Sequence, residues 1–304
     1  MPQVLTCWQR RATAGNEMRR RTFLQTIALL PLAGMACRVG ASSLPAPRLV
    51  VLDWGLVETL LAIGVVPVGV AEIAGYHDNV VTPVIPAQVP DVGLRLAPNL
   101  EWLQQLAPDY ILINSSQESQ RAMLERIAPV RAFAIYSDSG TPYQHAITAT
   151  HQLGELCQQQ VAAARLIAEA ANALQPVTQP RQPDIPLFLI RFFDARHIGI
   201  YGQHSLFQDV LDALGLTNGW HQTTDYWGIS VTGLDSLAVR DDARILYFTP
   251  LPTNMTHGLT DNALWQALPA VQAGHRAALP AFWGFGMLPS AIRFAQQLSA
   301  VLAA

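Results

Sequence analysis

The sequence predicts an α/β protein of two lobes with mainly parallel sheets, joined by a single long α-helix. Three observations lead there. Short apolar strands alternate with amphipathic helices on both sides of the middle, one helical pattern fills that middle, and the two flanks share a repeat. The boundaries read 1–41 for an N-terminal extension and export signal, 42–140 for the first lobe, 141–175 for the bridging helix and 176–304 for the second lobe.

The first 41 residues stand apart. Arg19, Arg20 and Arg21 precede an apolar run ending at Ala36, of signal-peptide length and short of the ~20 residues a membrane span needs. Arg20-Arg21-Thr22-Phe23-Leu24 has the pattern of a twin-arginine (Tat) export signal. Met18, just before it, is the expected start. Val39-Gly40-Ala41 suits cleavage after Ala41, whereas Cys37 lacks the upstream leucine that a lipid anchor calls for. The expected address is the periplasm.

What remains after that cleavage is acidic, with 13 arginines against 21 acidic residues and a net charge of −8. Such a chain is a poor nucleic-acid binder. Cys157 would be its lone cysteine, so no intramolecular disulfide is expected. The eight histidines show no HxH or HxxxH spacing, which argues against a bare zinc or manganese site. No G-x-S-x-G elbow occurs, and Pro289 breaks "GFGMLP" as a dinucleotide fingerprint. An enzyme is not expected.

In the first lobe "RLVVLDW" reads as a strand, "LVETLLAIG" as a helix stopped by Gly64 and "VPVGVAEI" as a second strand. "NLEWLQQLAP", "DYILIN", "SQRAMLERIAP" and "VRAFAIYS" follow as helix, buried strand, helix and strand. Arg95 falls in the loop before the helix opened by Asn99. Next, Thr141-Pro142 supplies an N-cap and a first-turn proline. Leu153, Cys157, Val161, Ala164, Ile167, Ala171 and Leu174 form one apolar stripe; at 1.5 Å per residue this helix would run nearly 50 Å. "QPVTQPRQPDIP" marks a linker. The second α/β pattern runs through "LFLIRFFDARHIGIYG", "SLFQDVLDALGL", "ARILYF", "DNALWQALPAV", "RAALPAFW" and a helix from Leu288.

The repeat ties the flanks together. Leu100-Glu101-x-Leu103 with Ile111-Leu112 recurs as Leu234-Asp235-x-Leu237 with Ile245-Leu246, and "LLAIGV" from Leu60 recurs as "LDALGL" from Leu211.

Several segments then carry a resemblance. "RLVVLDWGLVETLLAIGVVPVGVAEIAGY", "VPDVGLRLAPNLEWLQQLAPDYIL", "SLFQDVLDALGLTNGW", "DYWGISVTGLDSLA" and "LWQALPAVQAGHRAALPAFWGFG" resemble the periplasmic ferric hydroxamate (ferrichrome)-binding proteins. These are helix-bridged, class III substrate-binding proteins of ABC importers. The resemblance implies a non-enzymatic monomer, without cofactor or protein-held metal, that carries an iron(III)-hydroxamate siderophore to an inner-membrane permease. Another large chelate, such as cobalamin, haem or ferric citrate, is the alternative ligand.

The resemblance also assigns residues. Arg95 matches the arginine that reaches the hydroxamate oxygens, a task suited to a guanidinium fork that need not displace them from the metal. Trp227, Trp283 and Phe285 match cleft-wall positions. Trp54, expected to end the first strand, and Tyr76, expected in a loop, should border the same crevice. Gln117 stands where the family pattern has a tyrosine beside the arginine, Asn79 where a tryptophan is expected, and Phe285 where a tyrosine is expected. Gln117 is expected to donate to a ligand oxygen. Glu101 and Asp235, aligned by the repeat, match the carboxylates that dock each lobe on the permease. Trp102, Trp220 and Trp265 read as packing residues.

Overall fold

The computed structural model describes residues 46–138, 141–176, 185–255 and 258–303. The export signal, Met18, Cys37, the expected cleavage site and most of the proline linker lie outside the described residues.

The first lobe runs β1 (Leu49–Val51), α1 (Trp54–Ala62), β2 (Gly69–Val70), α2 (Ile73–Asn79), β3 (Gly93–Leu94), β4 (Ala97–Pro98), α3 (Leu100–Leu106), β5 (Tyr110–Asn114), α4 (Arg121–Leu124) and β6 (Val130–Phe133). Its main sheet has the order β2-β1-β5-β6 and is parallel throughout. The apolar runs of β1 and β5 fit a sheet covered on both faces. Two local readings change. Asp53 caps α1 by accepting from the Leu56 amide, so Trp54 opens the helix instead of ending the strand. The loop before Asn99 is a small antiparallel hairpin, with Arg95 and Leu96 at its turn between β3 and β4.

The middle departs from the expected single helix. It forms α5 (Pro142–Leu156) and α6 (Gln160–Ala173), each about 22 Å long at 1.5 Å per residue. Gln158 adopts a left-handed φ of 56° at the break, where the Gln159 amide donates to Gly154 O. A Cβ on Gly154 would lie 2.6 Å from that of Ala163, so this glycine is what lets α6 fold back against α5. The apolar stripe is real in part: Leu153, Cys157, Leu174 and their neighbours Ala163, Leu166 and Ala170 are buried, but Val161 is exposed. The helical pattern was legible and the turn inside it was not.

The second lobe runs β7 (Leu187–Phe192), β8 (His197–Tyr201), α7 (Leu206–Leu214), β9 (Ile229–Gly233), β10 (Arg244–Phe248), α8 (Ala263–Ala267), α9 (Pro269–Gln272), β11 (Arg276–Leu279) and α10 (Leu288–Ala303). The sheet order is β11-β10-β7-β8-β9; β7, β10 and β11 are parallel, while β8 and β9 run antiparallel to their neighbours. "LFLIRFFDARHIGIYG" is therefore a hairpin, closed where Asp194 Oδ1 accepts from the Arg196 and His197 amides.

The repeat corresponds to equivalent places. α3 leads into β5 beside β1, and the 3₁₀ turn Leu234–Val239 leads into β10 beside β7. Ile111 pairs with Val50 as Ile245 pairs with Phe188. One apolar cluster is continuous through both lobes, from Leu60 and Phe133 through Ala146 and Leu166 to Phe207 and Leu298. Among the described residues no helix is long and apolar enough to cross a membrane.

Candidate functional site

A cavity of about 230 Å³ lies between the lobes, at the C-terminal ends of β1 and β5. The first lobe lines it with Asp53, Arg95, Leu96, Asn114, Ser116 and Gln117, and the second with Trp227, Trp283 and Phe285. A neighbouring cavity of about 350 Å³, lined by residues including Ser116, Tyr136, Asp138 and Tyr226, shares Ser116 with it. Side by side at Ser116 the two form a trough, and the larger falls within the size range of small-molecule sites.

Arg95 is its one guanidinium. The hairpin turn carries the side chain to Glu72, whose Oε2 accepts from Arg95 Nε at 2.8 Å while Oε1 accepts from the Arg95 amide at 3.0 Å. Glu72 is itself held in the left-handed region, at φ 53°, where its amide meets the Asp91 carboxylate. For a non-glycine residue this conformation costs about 1–2 kcal/mol. The Arg95 guanidinium carbon lies 4.0 Å above the Trp54 ring centre and 5.1 Å from that of Trp283. With Nε held by Glu72, the side chain lines the trough between these two rings.

Behind Arg95 the polar groups serve each other. Gln117 is buried: its Nε2 donates to Leu52 O and Arg95 O, and its Oε1 accepts from the Asn114 amide. That amide is spent, which corrects the expectation that Gln117 donates to a ligand; it holds the backbone of the arginine turn instead. Asn114 Nδ2 donates to Asp53 Oδ2 at 2.7 Å. Burial pushes the Asp53 carboxyl above its ordinary value, opposed by the Asn114 hydrogen bond, the Leu56 amide and the Arg95 charge.

The second lobe supplies rings. Trp227 packs 4.8 Å from Tyr226, 4.9 Å from Phe285 and 5.4 Å from Tyr136, and Trp283 lies 4.6 Å from Trp54. The turn under Trp227 is built by Asp225 Oδ1, which accepts from the amides of Trp227 and Ile229. Gly228 has φ 77°, and any Cβ there would strike the Ser205 backbone, so "YWG" admits no other residue at its end. Tyr136 crosses from the first lobe to donate to Gly286 O at 2.8 Å.

Not every expected residue arrives. Tyr76 sits inside α2, not in a loop, fully buried, with its hydroxyl donating to Pro83 O; it backs Trp54 edge-on at 6.4 Å and does not line the trough. Trp54 is buried behind Arg95, its indole N–H given to Ala71 O, so it is the platform for the guanidinium. Asn79 accepts from Arg191 across the lobes instead of facing the trough. Trp220 and Trp265 are buried, and Trp102 is partly exposed on α3. Glu101 and Asp235 are exposed in the first turns of their helices.

Sequence reasoning missed Asp53, Glu72, Asn114, Ser116, Leu96 and Tyr136. Asp53, Asn114 and Tyr136 were findable, since each falls at or just past the C-terminal end of a predicted strand, where open α/β sheets place ligand contacts. Among the described residues no group of three or more His, Cys, Asp and Glu side chains is placed to hold a metal ion.

Four likenesses to known proteins bear on this arrangement. The iron(3+)-hydroxamate-binding protein FhuD of Escherichia coli is 36% identical over 282 residues, covering 92% of this chain and 95% of that one. The crystal structure of the Fe3+-Desferal-bound siderophore-binding protein FhuD from Vibrio cholerae matches with a TM-score of 0.79 and 32% identity, covering 85% of this chain and 98% of that one. The petrobactin-binding protein YclQ of Bacillus subtilis, at 16% identity and a TM-score of 0.67 over 86% of this chain and 93% of its own, shares the fold. The periplasmic binding protein family matches residues 49–281. With two α/β lobes around a ligand-sized trough and that match over most of its length, the chain belongs to the periplasmic binding protein family and has its class III fold.

Proposed function

We propose that the chain is a non-enzymatic periplasmic binder that takes an iron(III)-hydroxamate siderophore between its lobes and delivers it to an ABC importer. Arg95 carries this reading: among the described residues it is the one guanidinium lining a trough walled by Trp227, Trp283 and Phe285. A ferric tris-hydroxamate is close to neutral overall, apolar outside, and bears partial negative charge on its oxygens. A fork of N–H donors meets those oxygens while the rings cover the organic shell. The FhuD relatives support the same ligand class. The signal in residues 19–41 supports the periplasmic address and Tat export, and the chain acts as a monomer in this reading.

Delivery falls to Glu101 and Asp235, which stand exposed in the turns leading into β5 and β10, the equivalent strands of the two lobes. Their symmetry fits a permease that presents a basic group to each lobe.

Intrinsic tryptophan fluorescence tests the binding. Saturable quenching by ferrichrome and ferric desferrioxamine B at micromolar concentration or below is expected; response only to cobalamin, haem or ferric citrate would remove the ligand assignment. The Glu101→Ala/Asp235→Ala double variant should keep that affinity and lose uptake in vesicles containing the permease. Undiminished uptake would exclude the docking role.

A further inference from the structure

Trp283 and Phe285 stand on one segment of the second lobe, residues 281–287, and the first lobe grips both of its ends. At the far end Glu58, on α1, reaches across the lobes. Its Oε1 accepts from the Met287 amide at 2.6 Å and its Oε2 from Ser290 Oγ at 2.7 Å, with the Ser290 amide also directed at the carboxyl. Pro289 between them has no amide to offer. Glu58 thus caps the 16-residue helix α10 from another lobe, a task normally done by a residue just before the first turn.

The backbone is shaped for this contact. A Cβ on Gly286 would lie 2.2 Å from Ser290 Oγ and 2.8 Å from Glu58 Oε1, so no side chain fits between carboxyl and helix. One on Gly55, a turn earlier in α1, would lie 3.3 Å from Phe285 O and 3.2 Å from Met287 Cγ. Thr59 Oγ1 meets Met287 Sδ at 3.4 Å, and Tyr136 holds Gly286 O. At the near end Arg191 and Arg293 donate to Phe282 O and Ala281 O, while their other terminal nitrogens reach Asn79 Oδ1 and Val80 O in the first lobe. Glu58 itself is fully buried and lines neither cavity of the trough.

We propose that Glu58 is a positioning residue for ligand binding: by capping α10 it sets the path of residues 281–287 and so turns Trp283 and Phe285 into the trough. The inference rests on the reading of the trough as the ligand site and adds the residue that places two of its rings. Because α1 also begins with Trp54, the platform under Arg95 and the rings opposite are tied to one helix. Trp283 lies 4.6 Å from Trp54 across that junction. What Glu58 fixes is whether the rings face the trough at all, a condition that comes before any contact they make.

A double-variant cycle separates positioning from stability. Ferrichrome affinity is measured by calorimetry at a temperature where melts show each variant folded. Glu58→Ala should weaken binding about tenfold, the scale of one lost aromatic contact, and Glu58→Gln, which keeps an acceptor for the Met287 amide, should restore most of it. Combined with Phe285→Ala, the Glu58→Ala loss should fall short of the product of the two single losses by about threefold or more, since both act through one ring. If Glu58→Ala does not fold, Ser290→Ala removes one partner of the carboxyl and carries the same cycle. Unchanged affinity in the folded variants, losses that multiply in full, or a Glu58→Gln no better than Glu58→Ala would each overturn the proposal. An unmodified protein that binds no ferric hydroxamate would instead remove the reading of the trough, and this proposal with it.

Discussion

The two walls of the trough do different work. The first lobe's wall is a hydrogen-bonded lattice in which Glu72, Arg95, Gln117, Asn114 and Asp53 fix one another. The second lobe's wall is a set of rings, Trp227, Trp283, Phe285 and Tyr226, packed edge to face or tilted. The polar wall can discriminate because its groups are held in place by hydrogen bonds to one another. The aromatic wall can cover ligands of varied outline because ring contacts depend weakly on exact placement. One lobe offers directed polar groups, and the other offers ring area.

The largest effect is expected where the walls are joined. Glu58 of α1 is fully buried, accepting from the Met287 amide at 2.6 Å and from Ser290 Oγ at 2.7 Å, both in the second lobe. Arg293, Tyr76 and Tyr136 are ionisable groups that feel its charge. Burial raises its carboxyl from 4.5 to about 7. A raised acid binds its proton more tightly folded than unfolded, so its stabilising contribution is complete below pH 4.5 and is lost as pH climbs to about 7. That loss amounts to on the order of 3 kcal/mol. Glu58→Gln keeps an acceptor for the Met287 amide and a donor for Ser290, and should flatten the stability profile between pH 5 and about 7 in urea melts. Asp209, raised to about 6, contributes a residual slope of the same sign. An unchanged profile in the variant would show that the seam does not depend on Glu58 protonation.

Next in size is the polar wall. Arg95→Ala removes charge-assisted donors worth about 1.5–3 kcal/mol, a loss of roughly 10- to 100-fold in ferrichrome affinity by calorimetry. Arg95→Lys is the sharper variant. It keeps the charge but not the fork, and loses the Nε bond to Glu72, so it should recover little. Full recovery by lysine would mean that charge alone is read, and the contrast between an exacting wall and a forgiving one would fail.

The same contrast explains what was legible in the sequence. The alternation that defines both lobes is written in apolar periodicity, and the aromatic wall in rings bounded by glycines, as at Trp227-Gly228 and Trp283-Gly284. Both are local patterns. The polar wall is assembled from separated positions: Glu72 and Arg95 lie 23 residues apart, Asp53 and Asn114 61 apart. No spacing rule brings those together, so Arg95 was assigned by resemblance and its partner Glu72 was not found. Gln117 was placed correctly and its role was not, because an amide facing a pocket and an amide spent on Leu52 O and Arg95 O read alike in one dimension. The turn at Gln158 was missed for a related reason. Polar glutamines continue a helix as readily as they end one, and only the tertiary contact of Gly154 with Ala163 favours the break.

The smallest effect should come from the aromatic wall. Trp227 is half-buried, and its ring is shared among Tyr136, Tyr226 and Phe285, so its removal leaves other rings able to lean on a ligand. Trp227→Ala should weaken ferrichrome binding about tenfold, in line with ~1–1.5 kcal/mol for an aromatic contact. Trp227→Phe should restore most of that loss, whereas Arg95→Lys restores little. The second-lobe turn itself should survive, since Asp225 holds it through backbone amides and not through the ring. Should Trp227→Phe bind as poorly as Trp227→Ala, the ring would be acting through its indole N–H, and the second wall would be reading polar groups as the first does.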